Sequence, residues 1–473
     1  MKRSKRFAVL TILLITAILV NQNLCVAAQK MAGLELDKFY KVMADFDPNN
    51  PVIPEGDTIK IAIVASFSGP ASMTGQLYFI SVQWAAHAIN KQGGIMVDGK
   101  RKLIQVLKAD HMSRADACKK ICERTILQDK VHVLMGTDGS HLQKIINDTA
   151  AKYKVISISI ASISDDLQNA VNFNRYSFMS AFSTEQIGRG FAYYYGQIRK
   201  KEKKFYIICQ DYSMGRSIAA GFKKGLQEYY PEAQVVGEDY HKLFLTDYAP
   251  YLTKIKASGA EVIFTGDWMP DAGNLLKQAR HMRIQQPFAN IFMDDPNLLN
   301  EVGVDGTKGL VNITQYGSGN PSFKTDADKK YNQIWHDLWK TKWRSPYNTL
   351  LFQYPLGNIG SWIEQAFWFF SVVERAGSTD AEKIIRVWEG DRYKFGNRKI
   401  VTMRACDHKI VQDLHVYEYV PPEQQRQSMN MPPYYWFKNS SGSGPSYVIP
   451  AAKALPWMDP KLDRCRGKNG YNE

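Results

Sequence analysis

Four short stretches carry the side chains from which a binding site would be built. Gly136-Thr137-Asp138-Gly139-Ser140 follows an apolar run and opens a helical one. Free backbone amides and the Ser140 hydroxyl therefore collect at a helix start, an arrangement suited to a carboxylate. The same residues also make an ordinary N-cap by Ser140 or Asp138, which is compatible with anion binding. Ile160-Ala161-Ser162-Ile163-Ser164-Asp165 offers small hydroxyl side chains after the next apolar run, and reads equally as a polar turn. Asp211-Tyr212-Ser213-Met214-Gly215 and Gly266-Asp267-Trp268-Met269-Pro270-Asp271 occupy comparable turns further along. Two acids beside Trp268 would hold an ammonium group, and an acid at a helix start also interacts favourably with the helix dipole.

Catalytic signatures are missing from the sequence. There is no G-x-S-x-G elbow, no G-x-x-x-x-G-K-[ST] phosphate loop, no G-x-G-x-x-G after a strand and no H-E-x-x-H. His111, His132, His141, His281, His336, His408 and His415 are scattered rather than clustered. Cys118, Cys122 and His111 lack metal-ligand spacing, so no metal and no cofactor is expected. The chemistry indicated is binding without turnover.

The elements that must position these residues begin at Thr58. Ile59, Ile61, Ile63 and Val64 form a β-branched run, Ser68-Gly69-Pro70 breaks it, and Leu77 to Asn90 returns at helical period before Gly93-Gly94. Alternation then predicts strand 59–65, helix 76–91, strand 102–108, helix 114–129, strand 131–135, helix 140–153 and strand 156–160. A second cycle predicts helix 184–200, strand 204–209, helix 215–230, strand 234–239, helix 247–258, strand 260–265, helix 271–283 and strand 288–293. A strand at 310–316, aromatic-rich helices at 324–341 and 348–376, and strands at 399–404 and 412–420 follow. Strands separated by helices of this length indicate right-handed crossovers and buried parallel sheets, hence an α/β fold of two similar three-layer lobes. Ligands in such sheets collect beyond the carboxyl ends of the strands, where all four stretches fall.

At 473 residues the chain exceeds what one core supports, consistent with two lobes. Met1–Arg6 carries four cations, Phe7–Val20 is apolar and Val26-Ala27-Ala28 offers small residues, the pattern of a leader cleaved near Ala28. The apolar run is about a third short of the ~20 residues that span a bilayer. Leu24 stands where a small residue precedes a lipidated cysteine, so a soluble exported chain is expected. The net charge of +14 would fall to +10 without the leader cations. Export argues against nucleic acid as partner, and Arg199–Lys204 (RKKEKK) reads as a solvated helix terminus. Cys118 and Cys122, four apart on a helix, have side-chain roots roughly 5–6 Å apart, wider than the roughly 3.5–4.5 Å a disulfide prefers. Cys406 and Cys465 are the preferred bridge. Gln29 to Asp57, with Pro48, Pro51 and Pro54, reads as an extension on the surface, and the segment from Pro421 as a turn-rich tail wrapping a lobe, with Tyr434–Phe437 packed on it.

Phe67-Ser68-Gly69-Pro70 with Gly75, Ile89-Asn90 to Gly93-Gly94-Ile95, Asp211-Tyr212 with Gly215, Leu276-Lys277-Gln278-Ala279-Arg280 and Ala376-Gly377-Ser378-Thr379-Asp380 occur in register. Over Thr58 to Val420 this chain resembles the periplasmic type I solute-binding proteins of ABC importers, in the leucine/isoleucine/valine-binding branch. The resemblance implies two lobes joined by a three-segment hinge and closing on an amino acid: leader 1–28, N-terminal extension 29–57, first lobe 58–181 and 311–398, second lobe 182–310 and 399–420, and C-terminal extension 421–473. It implies that Ser140, with Ala161, Ser162 and Ser164, holds the ligand carboxylate, and that Asp271 pairs with its ammonium. Thr74 replaces an aromatic before the loop glycine, Met214 replaces a tyrosine with Tyr212 two positions back, and Asp271 is shorter than the usual glutamate. The carboxylate-and-ammonium scheme is therefore expected with altered side-chain selectivity, leaving an aromatic acid, an amide or another small polar solute open. The function implied is a monomeric periplasmic binding protein delivering its solute to an ABC permease, or alternatively a ligand-sensing receptor of the same fold.

Overall fold

The computed structural model describes residues 31–69, 71–137, 139–315, 325–344, 357–396, 400–429 and 441–467. Ile59–Ala65 forms the second strand of a five-stranded parallel sheet, flanked by Ile104–Asp110 on one side and Val133–Gly136, Ile156–Ser159 and Ser177–Met179 on the other. Its side chains alternate between two cores. Ile59, Ile61 and Ile63 face one, Ala62 and Val64 the other. Burial on both faces is the usual condition of a parallel sheet and explains the near-continuous apolar run.

The second lobe is built on a seven-stranded sheet in the order Gln234–His241, Lys204–Gln210, Val262–Phe264, Phe288–Asn290, Leu310–Thr314, Leu414–Val420, Gly442–Ile449. The first five strands are parallel, and Leu414–Val420 is antiparallel to both of its neighbours, so that Gly442–Ile449 runs with the first five. In both lobes a glycine lets the first turn of a helix press on the end of the preceding strand. A Cβ at Gly75 would lie 2.1 Å from the Ser66 carbonyl oxygen, and one at Gly215 1.9 Å from that of Gln210. These two glycines belong to the motifs that carry the family resemblance, and their requirement is steric.

Two expectations are corrected. The N-terminal extension packs on the first lobe and adds to its core: the helix Leu36–Ala44 buries Leu36, Phe39, Tyr40 and Met43, and the Met43 carbonyl accepts a hydrogen bond from Trp84 Nε1 at 3.0 Å. Val401–Met403 does not join the second lobe. It lies in a four-stranded sheet with Ile410–Val411, Arg392–Phe395 and Ala32–Leu34, and Met403, Phe395 and Leu34 pack into the first lobe's core. The tail is not all turn: Gly442–Ile449 pairs with Leu414–Val420 along most of its length. Tyr434–Phe437 and the leader lie outside the described residues.

The helices Asp326–Trp335 and Gly357–Ala376 return to the first lobe, where Trp84 meets Tyr331, Trp335 and Trp339 at ring separations of 6.0, 5.5 and 5.4 Å. The Cys406–Cys465 disulfide is formed, with Cα atoms 5.0 Å apart, and Cys118 and Cys122 are buried thiols. Between Gly442–Ile449 and Cys465 the tail touches both lobes. The Leu455 carbonyl accepts from Arg189 of the second (2.5 Å), Pro456 from Arg404 (2.9 Å), and Asp459 from the Ala170 amide of the first (2.9 Å). Beside the disulfide, Arg464 and His408 both meet Glu389, His408 Nε2 at 2.9 Å.

Burial alone would raise the Glu389 carboxyl, but His408 and Arg464 outweigh it and hold it down to about 2. A depressed folded-state value stabilises above the ordinary glutamate range and is lost as pH falls toward 2. The melting temperature should therefore drop through the interval from pH 4.5 to 2, and Glu389→Gln should flatten that part of the profile in a calorimetric pH series.

Candidate ligand-binding cleft

The carboxyl ends of both sheets face a common cleft. The first lobe contributes the start of the helix Ser72–Asn90 through Met73, Thr74, Leu77 and Tyr78, the start of Ser140–Tyr153 through Gly139 and Ser140, and the loop Ile160 to Ile163. Gly139 is the N-cap, at φ 85°, with no side-chain cap, and Ser140 is the first helical residue. The Leu142 amide turns back to the Gly139 carbonyl (3.0 Å), and the Gly139 and Ser140 amides stand at a helix start of the kind that suits a bound anion. Ser140 Oγ accepts from the Ser164 amide at 3.3 Å, which leaves its hydroxyl hydrogen for the cleft.

Ser162 lines the cleft with its hydroxyl turned to the Thr137 carbonyl (2.7 Å), fixing the loop against the helix start. Ala161 also lines it, beside Ile160. Thr74 reaches the wall, but its hydroxyl donates to the Ala71 carbonyl at 2.7 Å, so it presents mainly its methyl group. Ser164 is fully buried behind the wall and acts on Ser140 from there.

On the second lobe Tyr212 lines the cleft and its hydroxyl accepts from Trp268 Nε1 at 2.9 Å. The Tyr212 ring meets His141 of the first lobe edge to face at 6.1 Å, so the lobes touch across the mouth. Asp271 does not join this wall. It is wholly buried, and Oδ2 accepts from Gln210 Nε2 (2.7 Å) and the Phe244 amide (2.9 Å). Burial raises its carboxyl above the ordinary range against these two bonds. Asp267 is equally buried and pairs with His241 Nε2 at 2.7 Å, the other ring nitrogen meeting the Lys242 carbonyl. Burial alone would lower the His241 pKa, but Asp267 outweighs it and raises it. Both acids of the Asp267–Asp271 turn are thus committed to the lobe interior.

The acids on the wall are Asp294 and Asp295, after the strand Phe288–Asn290, with Phe292 beside them. Asp295 caps the helix Pro296–Thr307 by accepting from the Asn297 amide at 2.9 Å. Trp362, edge-on to Tyr78 at 4.5 Å, closes the first-lobe side. None of these four was singled out in the sequence. Asp-Pro opening a helix is a legible start signal, and it would have placed Asp294 at a strand-to-helix turn like the others.

Gln315 forms part of the floor at the hinge. Its Oε1 accepts from the Phe182 amide of the first crossing (2.8 Å) and from Gln412 of the third (3.2 Å), while Nε2 donates to Ser361 Oγ (2.7 Å). Ser180 Oγ donates to Gln365 Oε1 (2.5 Å). Nearby, the buried Lys409 of the third crossing meets Asp165 of the first lobe at 2.7 Å and Glu185 of the second at 3.5 Å.

The sequence profile of the family described as periplasmic binding protein matches residues 58–425. The chain belongs to the periplasmic binding protein family. Its relatives and fold put it in the type I, leucine/isoleucine/valine-binding branch. It is 26% identical over 297 residues to the Leu/Ile/Val-binding protein homolog 4 of Brucella abortus (strain 2308), covering 58% of this chain and 67% of that one. The closed leucine-, isoleucine-, valine-, threonine- and alanine-binding protein of Brucella ovis superposes with a TM-score of 0.70 at 20% identity, covering 85% of this chain and 98% of that one. A solute-binding protein of an ABC transporter from Rhodopseudomonas palustris BisB5, in complex with 3,4-dihydroxybenzoic acid, gives 0.67 at 18%, covering 84% and 98%. Among the described residues no helix of this binding protein is long and apolar enough to cross a membrane.

The hinge hub is testable by stability. Gln315→Leu keeps the volume but leaves the buried Phe182 amide and Ser361 without this partner, and an orphaned buried group costs about 1–3 kcal/mol. Urea unfolding should show a loss of that size.

Proposed function

We propose that this protein is exported with loss of its leader, captures an amino acid or a related small solute between its lobes, and delivers it to a membrane permease of an ABC importer. One observation carries the reading: the Ser140 hydroxyl and the start of its helix open onto a cleft enclosed by both lobes. A carboxylate taken out of water needs several donors, because an unpaired buried charge costs several kcal/mol. Ser140 and the first-turn amides supply them, Ala161 and Ser162 shape the surface beside them, and Thr74 and Tyr212 bound the solute's body from either lobe. Ser164 supports the site through Ser140. The absence of catalytic signatures from the sequence and its likeness to Leu/Ile/Val-binding proteins favour capture without turnover.

A second reading, an aromatic acid as cargo, is favoured by the ring-lined walls, Tyr78, Phe182, Trp268, Phe292 and Trp362 among them. The R. palustris neighbour holds 3,4-dihydroxybenzoic acid.

A thermal-shift screen against amino acids, aromatic acids and amides is the direct test. A solute at 100 times its Kd should add roughly 2.7 kcal/mol of stability. Ser140→Ala should lower the affinity of the best carboxylate ligand by at least tenfold, about 1.4 kcal/mol, in titration calorimetry. Unchanged affinity would remove Ser140 from the site, and a screen with no shift in any class would count against solute capture itself.

A further inference from the structure

Asp294 differs from every other polar group on the cleft wall. It lines the cleft yet is only 7% exposed, and its Oδ2 has no hydrogen-bond partner among the described residues. The neighbouring Asp295 is occupied as a helix cap, so the two acids are not equivalent. Among the described residues no lysine, arginine or histidine lines the cleft. A carboxylate held in such a place is costly unless a cation reaches it. None of the described wall residues supplies one, so the group either keeps its proton or takes its compensating charge from the solute.

The surroundings of that carboxylate define the rest of the solute. Phe182, Trp268, Phe292 and the edge-on pair of Tyr78 and Trp362 make the wall predominantly aromatic. Aromatic faces accommodate apolar bodies and attract ammonium groups through their quadrupoles. A solute bearing only a carboxylate would meet two acids here and, among the described residues, no cationic side chain on the wall.

We infer that Asp294, and not Asp271, is the second lobe's cation-recognising group, and that the preferred solute is a primary amine on an aromatic or large apolar body. This rests on the reading of the cleft as a solute trap and narrows its ligand class. In an aromatic amino acid the ammonium would pair with Asp294 while the carboxylate meets the Ser140 helix start.

Proton linkage supplies a second handle. Burial, with Asp295 adding to it, pushes the Asp294 carboxyl up to about 7. The titratable groups facing it are Asp295 on its own turn and Tyr419 on the neighbouring strand, with Glu301 acting on Asp295. An ammonium pairs with the ionised form, so amine affinity should rise with pH between 6 and 8 and binding should release protons below pH 7. For a carboxylate-only solute the sign is reversed.

The test uses the full mature chain and three probes of matched size: L-phenylalanine, 2-phenylethylamine and 3-phenylpropanoate. Expected in calorimetry are tighter binding of the two amines, at least a tenfold loss for both in Asp294→Asn, and no loss for 3-phenylpropanoate. The unmutated protein should show the rising pH profile, which keeps the test decisive should Asp294→Asn fold poorly. Binding of 3-phenylpropanoate alone, unchanged amine affinity in a folded Asp294→Asn, or amine affinity falling with pH would overturn the inference while leaving solute capture standing. No binding of any probe would overturn this inference, and the broader screen with Ser140→Ala would then decide whether solute capture survives.

Discussion

The side-chain amide of Gln315 joins the three chain segments that pass between the lobes, and the cleft depends on that junction. Its oxygen gathers the first and third crossings and its nitrogen fastens the second to Ser361 on the helix Gly357–Ala376. A buried amide with both ends used fixes relative position more sharply than apolar packing, because its bonds are directional and an unmet one is expensive. The Lys409–Asp165–Glu185 cluster repeats the device with charge, one group from the third crossing and one from each lobe. The hinge is therefore a polar seam between two apolar bodies, and Gln315 belongs to both the seam and the cleft floor.

Much of this fold is legible in the sequence because the parallel strands bury both faces and the intervening helices bury one. The helix expected at 140–153 is found at Ser140–Tyr153, and the strand expected at 59–65 at Ile59–Ala65. Ser140 reaches the cleft because its place at a strand-to-helix turn is a local property. Asp271 misled because its direction is not local: Gln210 and Phe244, distant in sequence, turn its carboxylate inward. The helix Leu36–Ala44 was legible in Leu36, Phe39, Tyr40 and Met43 at helical spacing, but the prolines downstream dominated the reading. Gly442–Ile449 carries turn residues and is a strand only because Leu414–Val420 offers it an edge to pair with.

The charge distribution sharpens the picture of the cleft. In a chain of net charge +14, no described lysine or arginine lines the cleft wall, where two aspartates stand instead. The basic cluster sits at the opposite end of the second lobe, at the start of the strand Lys204–Gln210, and part of it is structural, since Arg199 pairs with Glu202 at 2.9 Å and with Glu418 at 2.6 Å. Surface charge and site charge are thus of opposite sign, so the positive surface field does not set which solute is retained.

The tail gives the molecule a connection that the three crossings do not. Gly442–Ile449 is sewn into the second lobe's sheet, and Cys465, covalently joined to Cys406 across a sequence separation of 59, is anchored beside the first lobe's Ala170 and Phe173. The lobes are consequently linked by a fourth strand of chain, and with the third crossing it closes a covalent ring. Opening has to be taken up within the slack of Pro450 to Arg464, a span pinned to both lobes along the way. In mechanical terms the bridge ties the end of the second lobe's sheet to the first lobe, a covalent link beside the three crossings.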